Sequence, residues 1–241
     1  MRIEIVADEA ALAVRAADLV CDAVRAKPAA RLGLPTGNTP VLAYAEITRR
    51  VAAGTADFSR ADVYAVDEFA GGTRTTPGTN SVFYRQYVNF GQRALHCPNP
   101  SATEPDEHIR AFADAIRRAG GLDLCMLGIG VNGHIAFNEP GSPRDSRSRV
   151  VVLTPASREA HAITFGSLAA VPSRGRTLGV ADLLEARSII VLASGARKAT
   201  VARASIEGAQ AAGVPASWLQ SHAEVTWLLD AAAAAELTRH P

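Results

Sequence analysis

Leu127-Gly128-Ile129-Gly130-Val131-Asn132-Gly133-His134-Ile135-Ala136-Phe137-Asn138-Glu139-Pro140-Gly141 is the stretch from which the fold is read. The apolar run Leu122 to Leu127 feeds straight into it; three glycines follow, then a histidine, then a glutamate five residues further on. A short apolar run bounded by glycine reads as a buried strand. A Gly-rich loop at its end puts backbone N–H groups and a titratable side chain at the carboxyl edge of a sheet, where open α/β sheets hold their ligands. Core packing requires no such order, so this loop is the expected reacting centre.

Outward from it, strands and helices alternate. Met1 to Val6, Arg31 to Leu34, Asp62 to Val66, Arg149 to Leu153, Arg187 to Leu192 and Glu224 to Leu229 read as strands. Helices are expected over Asp8 to Ala26, Val41 to Ala53, Ser81 to Phe90, Pro105 to Arg118, Ser157 to Leu168, from Ser194 to about Gly208, and over Ala231 to Leu237. The clearest is Pro105 to Arg118, with Ile109, Phe112 and Ile116 on one stripe and Gly120-Gly121 as its stop. This alternation predicts a three-layer α/β fold with a mainly parallel sheet and helices on both faces. No repeat or linker interrupts it, so residues 1–241 are expected to form one domain.

The composition agrees with a globular protein: 48% hydrophobic and 20% charged residues. A formal net charge of +1 provides no global field for nucleic acid or an anionic membrane. No apolar run approaches the roughly 20 residues of a membrane span, and the first residues lack a signal-peptide core. The expected location is cytoplasmic. Cys21, Cys97 and Cys125 are irregularly spaced with no C-x-x-C pair, so they are expected to be buried or incidental thiols.

Three further loops follow strands. Pro35-Thr36-Gly37-Asn38-Thr39-Pro40 offers free N–H donors and two hydroxyls at a helix N-terminus, which suits an anion; a plain βα turn is the bland alternative. In Val66-Asp67-Glu68 the adjacent acids should face opposite ways along extended backbone, so one can enter a site while the other pairs or is solvated. Ser194-Gly195-Ala196-Arg197-Lys198 opens a helix, and a lysine in the first turn works against the macrodipole unless an anion shares that end. His134 suits proton transfer near neutral pH, with Glu139 available to fix its tautomer. Zinc-type spacing is absent.

Taken together, Gly33-Leu34-Pro35-Thr36-Gly37-x-Thr39-Pro40, Asp67-Glu68, the segment Gly128 to Pro140, and Ser194-Gly195-x-x-Lys198-Ala199 resemble the glucosamine-6-phosphate deaminase (isomerase) family, from residue 1 to about 230. Gly133-His134-Ile135-Ala136-Phe137-Asn138-Glu139-Pro140 is the most specific part. The resemblance implies a Rossmann-like, NagB-type fold and an enzyme of amino-sugar catabolism that turns glucosamine 6-phosphate and water into fructose 6-phosphate and ammonia, without metal or organic cofactor. It implies that His134 opens the sugar ring, that Glu139 orients it with Asn132 beside it, and that Asp67 moves the C2 proton to C1. Thr36, Gly37, Asn38, Thr39, Lys198 and Gly130 would bind the sugar phosphate. Its partner would be that small molecule, with no nucleic acid or membrane, and the assembly a monomer or small homo-oligomer.

The sequence departs from the family pattern at three places. Asn132 replaces a frequent Asp, which leaves Glu139 as the sole anionic partner of His134. Asn80 stands where Tyr is usual. Ile163 stands where an Arg usually reaches the phosphate; a charge-assisted bond is worth roughly 1.5–3 kcal/mol, so its loss should weaken binding about 10- to 100-fold. Arg174 or Arg176 is the expected replacement, against the alternative of a solvated basic loop. Arg149 matches one residue of the family's allosteric site, but Val151 and Val152 replace its polar neighbours, so no activation by an N-acetylated sugar phosphate is expected. Three other readings remain open. A galactosamine-6-phosphate-type deaminase would use the same residues, and a 6-phosphogluconolactonase-like hydrolase could use the same histidine. A non-catalytic sugar-phosphate sensor shares the fold, but such sensors carry an attached helix-turn-helix and tend to lose the acids.

Overall fold

The computed structural model describes residues 1–238. In chain order the elements are β1 (Arg2–Val6), α1 (Glu9–Ala26), β2 (Arg31–Leu34), α2 (Val41–Ala52), β3 (Asp62–Ala65), β4 (Asp67–Phe69), α3 (Asn80–Tyr87), β5 (Ala94–His96), α4 (Pro105–Arg118), β6 (Leu124–Gly128), β7 (Arg149–Val152), α5 (Pro155–Phe165), β8 (Arg174–Thr177), α6 (Val180–Leu184), β9 (Ile189–Ala193), α7 (Ala199–Ile206) and β10 (Val225–Asp230). Short 3-10 turns cover Ala196–Lys198 and Pro215–Ser221.

Seven strands form one sheet in the order β1-β10-β9-β6-β2-β3-β5, and every pairing in it is parallel. Successive side chains of a strand point to opposite faces, and the two cores follow that rule. Cys125 and Leu127 of β6 pack with α4 and α7 on one face. Leu124 and Met126 pack with α1 and α2 on the other. Local signals set the helix ends: Asp8 Oδ1 accepts from Ala11 N at 2.8 Å to cap α1, and Gly120 and Gly121, both at positive φ, close α4. The expected three-layer α/β architecture is the one observed.

The sheet order contains a reversal. From β2 the chain steps outward through β3 to β5, then returns to β6 on the other side of β2 and proceeds through β9 and β10. The loops leaving β2 and β6 therefore part from each other, opening the kind of crevice in which such sheets bind ligands.

Four placements go beyond or against the sequence reading. Asp67 and Glu68 do not extend β3; after Val66 they form β4 in a separate antiparallel sheet, ordered β4-β8-β7. Arg149–Val152 is an edge strand of that small sheet and not of the large one. Arg174 and Arg176, for which a solvated basic loop is the alternative on sequence alone, lie in β8. Residues 231–236 make turns instead of a helix: Asp230 takes Ala233 N on its carboxylate and Ala234 N on its carbonyl, and Leu237 N then donates to Ala234 O in a tighter turn. Among the described residues, no helix is long and apolar enough to cross a membrane.

Candidate active site

The loop after β2 is held from beneath. Tyr44 donates its hydroxyl to Pro35 O at 2.7 Å and Tyr84 donates to Leu34 O, both phenols being fully buried. Gly37 has φ +104°, and a Cβ there would meet nothing within 4 Å, so the loop faces open space. The N–H groups of Gly37, Asn38 and Thr39 have no protein acceptor among the described residues, and the first turn of α2 carries no acid. Unpaired donors at a helix N-terminus form an anion site.

Beside it stands Asp67, buried at the start of β4. Burial, aided by the charge of Glu68, raises its pKa to about 8, and a hydrogen bond from Asn80 works the other way. Asn80 Nδ2 donates to Asp67 Oδ1 at 2.6 Å. Glu68 points to the opposite side of the strand. It accepts from Asn80 N, Ser81 N and Ser81 Oγ and so caps α3. One acid thus faces the crevice and the other is fully committed to structure.

His134 lies on the loop leaving β6. Its imidazole covers Gly130 so closely that a Cβ on Gly130 would fall 2.3 Å from ring atoms. Burial lowers its pKa to about 4, against the pull of Glu139 and with help from Lys198 and His161. The ring is therefore neutral near pH 7. Nδ1 is buried without a hydrogen bond and stands 3.7 Å from Glu139 Oε2, too long for one. Ligand-free catalytic contacts are often this loose and tighten on binding. Glu139 is held elsewhere: it accepts from Asn132 Nδ2 at 2.9 Å, from Ser157 Oγ and from Thr154 N at 3.4 Å, at the N-terminus of α5. The helix end favours its negative charge. Asn132 Oδ1 also accepts from His134 N at 3.2 Å. Ala136, at φ 47°, is the non-glycine residue with positive φ among the described residues, and it lies two positions after His134.

The small sheet brings the two halves together. Asp67 is paired with Thr177, and Thr177 Oγ1 accepts from Phe137 N, three residues after His134. On the far side, Lys198 Nζ donates to Ile129 O at 2.7 Å, and burial lowers its pKa to about 8. Asp230 holds that turn, accepting from Ser194 Oγ and Gly195 N.

The family model for glucosamine-6-phosphate isomerases and 6-phosphogluconolactonase matches residues 7–227. The chain belongs to this family. A glucosamine-6-phosphate deaminase of Rhodopirellula baltica is 40% identical over 243 residues, covering 99% of this chain and 97% of its own. One from Pseudarthrobacter chlorophenolicus is 42% identical over 226 residues, covering 92% and 87%. Among solved structures, a monomeric glucosamine-6-phosphate deaminase described as a missing link of the NagB superfamily superposes with a TM-score of 0.95 at 32% identity, over 98% of this chain and all of its own. A 6-phosphogluconolactonase from Trypanosoma cruzi matches at TM-score 0.78 and 17% identity, covering 99% and 97%, a likeness of fold alone.

Against the family pattern, the structure relocates the departures. Ile163 is 95% exposed on α5 and points to solvent. Arg174 and Arg176, the expected replacements for the missing guanidinium, both lie on β8. Arg176 is 2% exposed, and on β8 it is paired with Glu68, on the side away from Asp67. Its guanidinium donates to Phe69 O and Ala102 O at 3.4 and 3.1 Å. Arg174, two residues earlier on the same strand face, is exposed. Arg149 is likewise used internally, donating to Asn138 Oδ1 and Ser142 Oγ.

Three groups escaped the sequence reading. Thr154 and Ser157 fix Glu139; Thr154-Pro155-x-Ser157 signals a helix start, but nothing in it names the carboxylate it meets. His161, one turn after Ser157, packs edge-on against Phe69 and Phe137, and its burial lowers its pKa.

Proposed function

We propose that this chain converts glucosamine 6-phosphate and water into fructose 6-phosphate and ammonia, acting as one catalytic unit, a deaminating aldose–ketose isomerase. The observation that carries the reading is the meeting of three groups at one strand-end crevice: an anion loop with unpaired N–H donors, a buried carboxyl and a neutral imidazole. The phosphate sits on Thr36, Gly37, Asn38 and Thr39, with Lys198 as the cation and Gly130 lining the floor. His134 takes the anomeric hydroxyl proton and returns it to the ring oxygen, opening the pyranose; Glu139, steadied by Asn132, stabilises the imidazolium that forms in passing. Asp67 then removes the C2 proton as the C1 oxygen is protonated, and returns it to C1 of the resulting enolamine as the nitrogen gives up a proton to become the imine. The resulting C2 imine adds water and expels ammonia. Every step is a proton transfer, an addition or an elimination, which is chemistry that acid and base side chains supply. The monomeric state of a relative with the same outline favours a monomer here, and the absence of a membrane-spanning helix among the described residues suits work in the cytoplasm.

The test is ammonia release from glucosamine 6-phosphate, measured beside its galactosamine epimer. Turnover of the first with weaker use of the second is expected. Ammonia from neither would end this reading.

A pH profile follows from the site. Asp67 must be ionised and Lys198 charged, and both titrate at about 8 in the free protein. Since kcat/KM reports the free enzyme, it should rise with pH towards 8 and fall beyond it. His134, at about 4, contributes no limb there. Lys198→Arg, which cannot lose its charge in this range, should remove the alkaline limb. A flat profile between pH 6 and 9 would contradict these assignments.

A further inference from the structure

Asn80 departs from its family pattern, yet it sits at the centre of the site's hydrogen bonding. It is 3% exposed, and its main-chain N–H and both ends of its side-chain amide are bonded. Its N–H donates to Glu68 Oε1 at 2.9 Å. Its Nδ2 donates to Asp67 Oδ1 at 2.6 Å and to Asp67 O at 3.2 Å. Its Oδ1 accepts from Thr36 Oγ1 at 3.3 Å. The amide can face only one way, because a main-chain carbonyl is an acceptor and demands the NH2 end. Asp67 Oδ1 is thereby occupied, while Oδ2 has no protein partner among the described residues.

We infer that Asn80 is a positioning residue for the proton transfer: it holds Asp67 by Oδ1, leaves Oδ2 as the atom that exchanges the substrate proton, and ties this carboxyl to the phosphate loop through Thr36. The inference rests on the isomerase reading above. The bond has a direction. A donor on Oδ1 favours the ionised carboxyl and opposes the burial that disfavours it. The titratable groups that act on or with Asp67 remain in place when Asn80 is changed: Glu68 on its own strand and Tyr84 from α3. The Thr36 link means that a phosphate seated on the loop meets the group that aims the base.

The experiment follows the Asp67 carboxyl by carbon-13 NMR in ligand-free protein, assigned against Asp67→Asn, in the wild type, Asn80→Ala and Asn80→Ser. Loss of a hydrogen bond to a charged group should move the Asp67 midpoint upward by about one pH unit or more in Asn80→Ala. In the ammonia assay the acid limb of kcat/KM should move with it, and kcat at pH 7 should fall about tenfold or more while KM changes less. Asn80→Ser keeps the main-chain bond to Glu68 and one small donor, so it should lie between the two. It also carries the test if Asn80→Ala is unfolded by circular dichroism, since a hydroxyl cannot reach both Asp67 and Thr36. A folded variant with the wild-type midpoint and wild-type kcat, Ala or failing that Ser, overturns the inference. A wild type that releases no ammonia refutes the reaction instead, and the carboxyl titration still decides the role of Asn80.

Discussion

Asp67→Asn is expected to leave a folded protein whose kcat for ammonia release is lower by about 10³, within the range seen when a general base is removed. The amide has the same shape, and its oxygen can still accept from Asn80 Nδ2, so the phosphate loop and KM should change little. The same variant should be more heat-stable than the wild type, by an amount that depends on pH. In the folded protein burial holds the Asp67 carboxyl at about 8, while in the unfolded chain it titrates near 4. Between those values the folded state keeps a proton that the unfolded state has lost, so the wild type loses stability as pH rises through this window. Asparagine has no such cost. The difference in Tm between variant and wild type should therefore be small at pH 5 and larger at pH 8 to 9. An equal difference at both would mean that the carboxyl ionises normally.

The large sheet was legible because its strands are short apolar runs closed by Gly or Pro, and because the helices between them carry their own signals. Asp8 and Gly120-Gly121 mark ends that the structure reproduces. The opposed directions of Asp67 and Glu68 were legible too, since alternation along extended backbone is local. The small sheet was not. β4 follows β3 after the single residue Val66, which hides the passage from one sheet to the other. β8, Arg174-Gly175-Arg176-Thr177, has no apolar alternation, and its reason lies far away in sequence. A Cβ on Gly175 would strike the Phe137 ring at 2.4 Å, and Arg176 serves carbonyls of Phe69 and Ala102. That sheet places Asp67 next to the His134 loop, so residue types suggested the chemistry while the geometry depended on pairings no local pattern encodes. Asn80 shows the same limit. As a sequence feature it was only a departure from a family pattern; its bonds to Asp67 and Thr36 come from contacts 13 and 44 residues away.

Gly130→Ala is expected to cost activity through His134, because the three atoms nearest to its methyl would all belong to the imidazole. Gly130 does not have positive φ, so an alanine there brings no backbone strain, and the effect is steric. The added carbon would lie 2.3 Å from His134 Cε1 and Nδ1 and 2.6 Å from Nε2. The ring must move, and its surroundings limit where it can go. Asn132 holds the main chain at His134 N, Gly130 N donates to His134 O at 2.9 Å, and Glu139 stands behind Nδ1. A displacement of about 1 Å in a reacting group can cost on the order of 10² in rate, whereas outright loss of the proton carrier costs about 10²–10⁴. We therefore expect kcat to fall about 10²-fold in Gly130→Ala and about 10³-fold in His134→Gln, both with Tm close to wild type. Combining the two substitutions should cost little more than His134→Gln alone, because the methyl acts chiefly through the ring it displaces and only secondarily on the floor that Gly130 lines. A double variant slower by the product of the two losses would show that Gly130 serves the substrate directly and that the histidine is not its target.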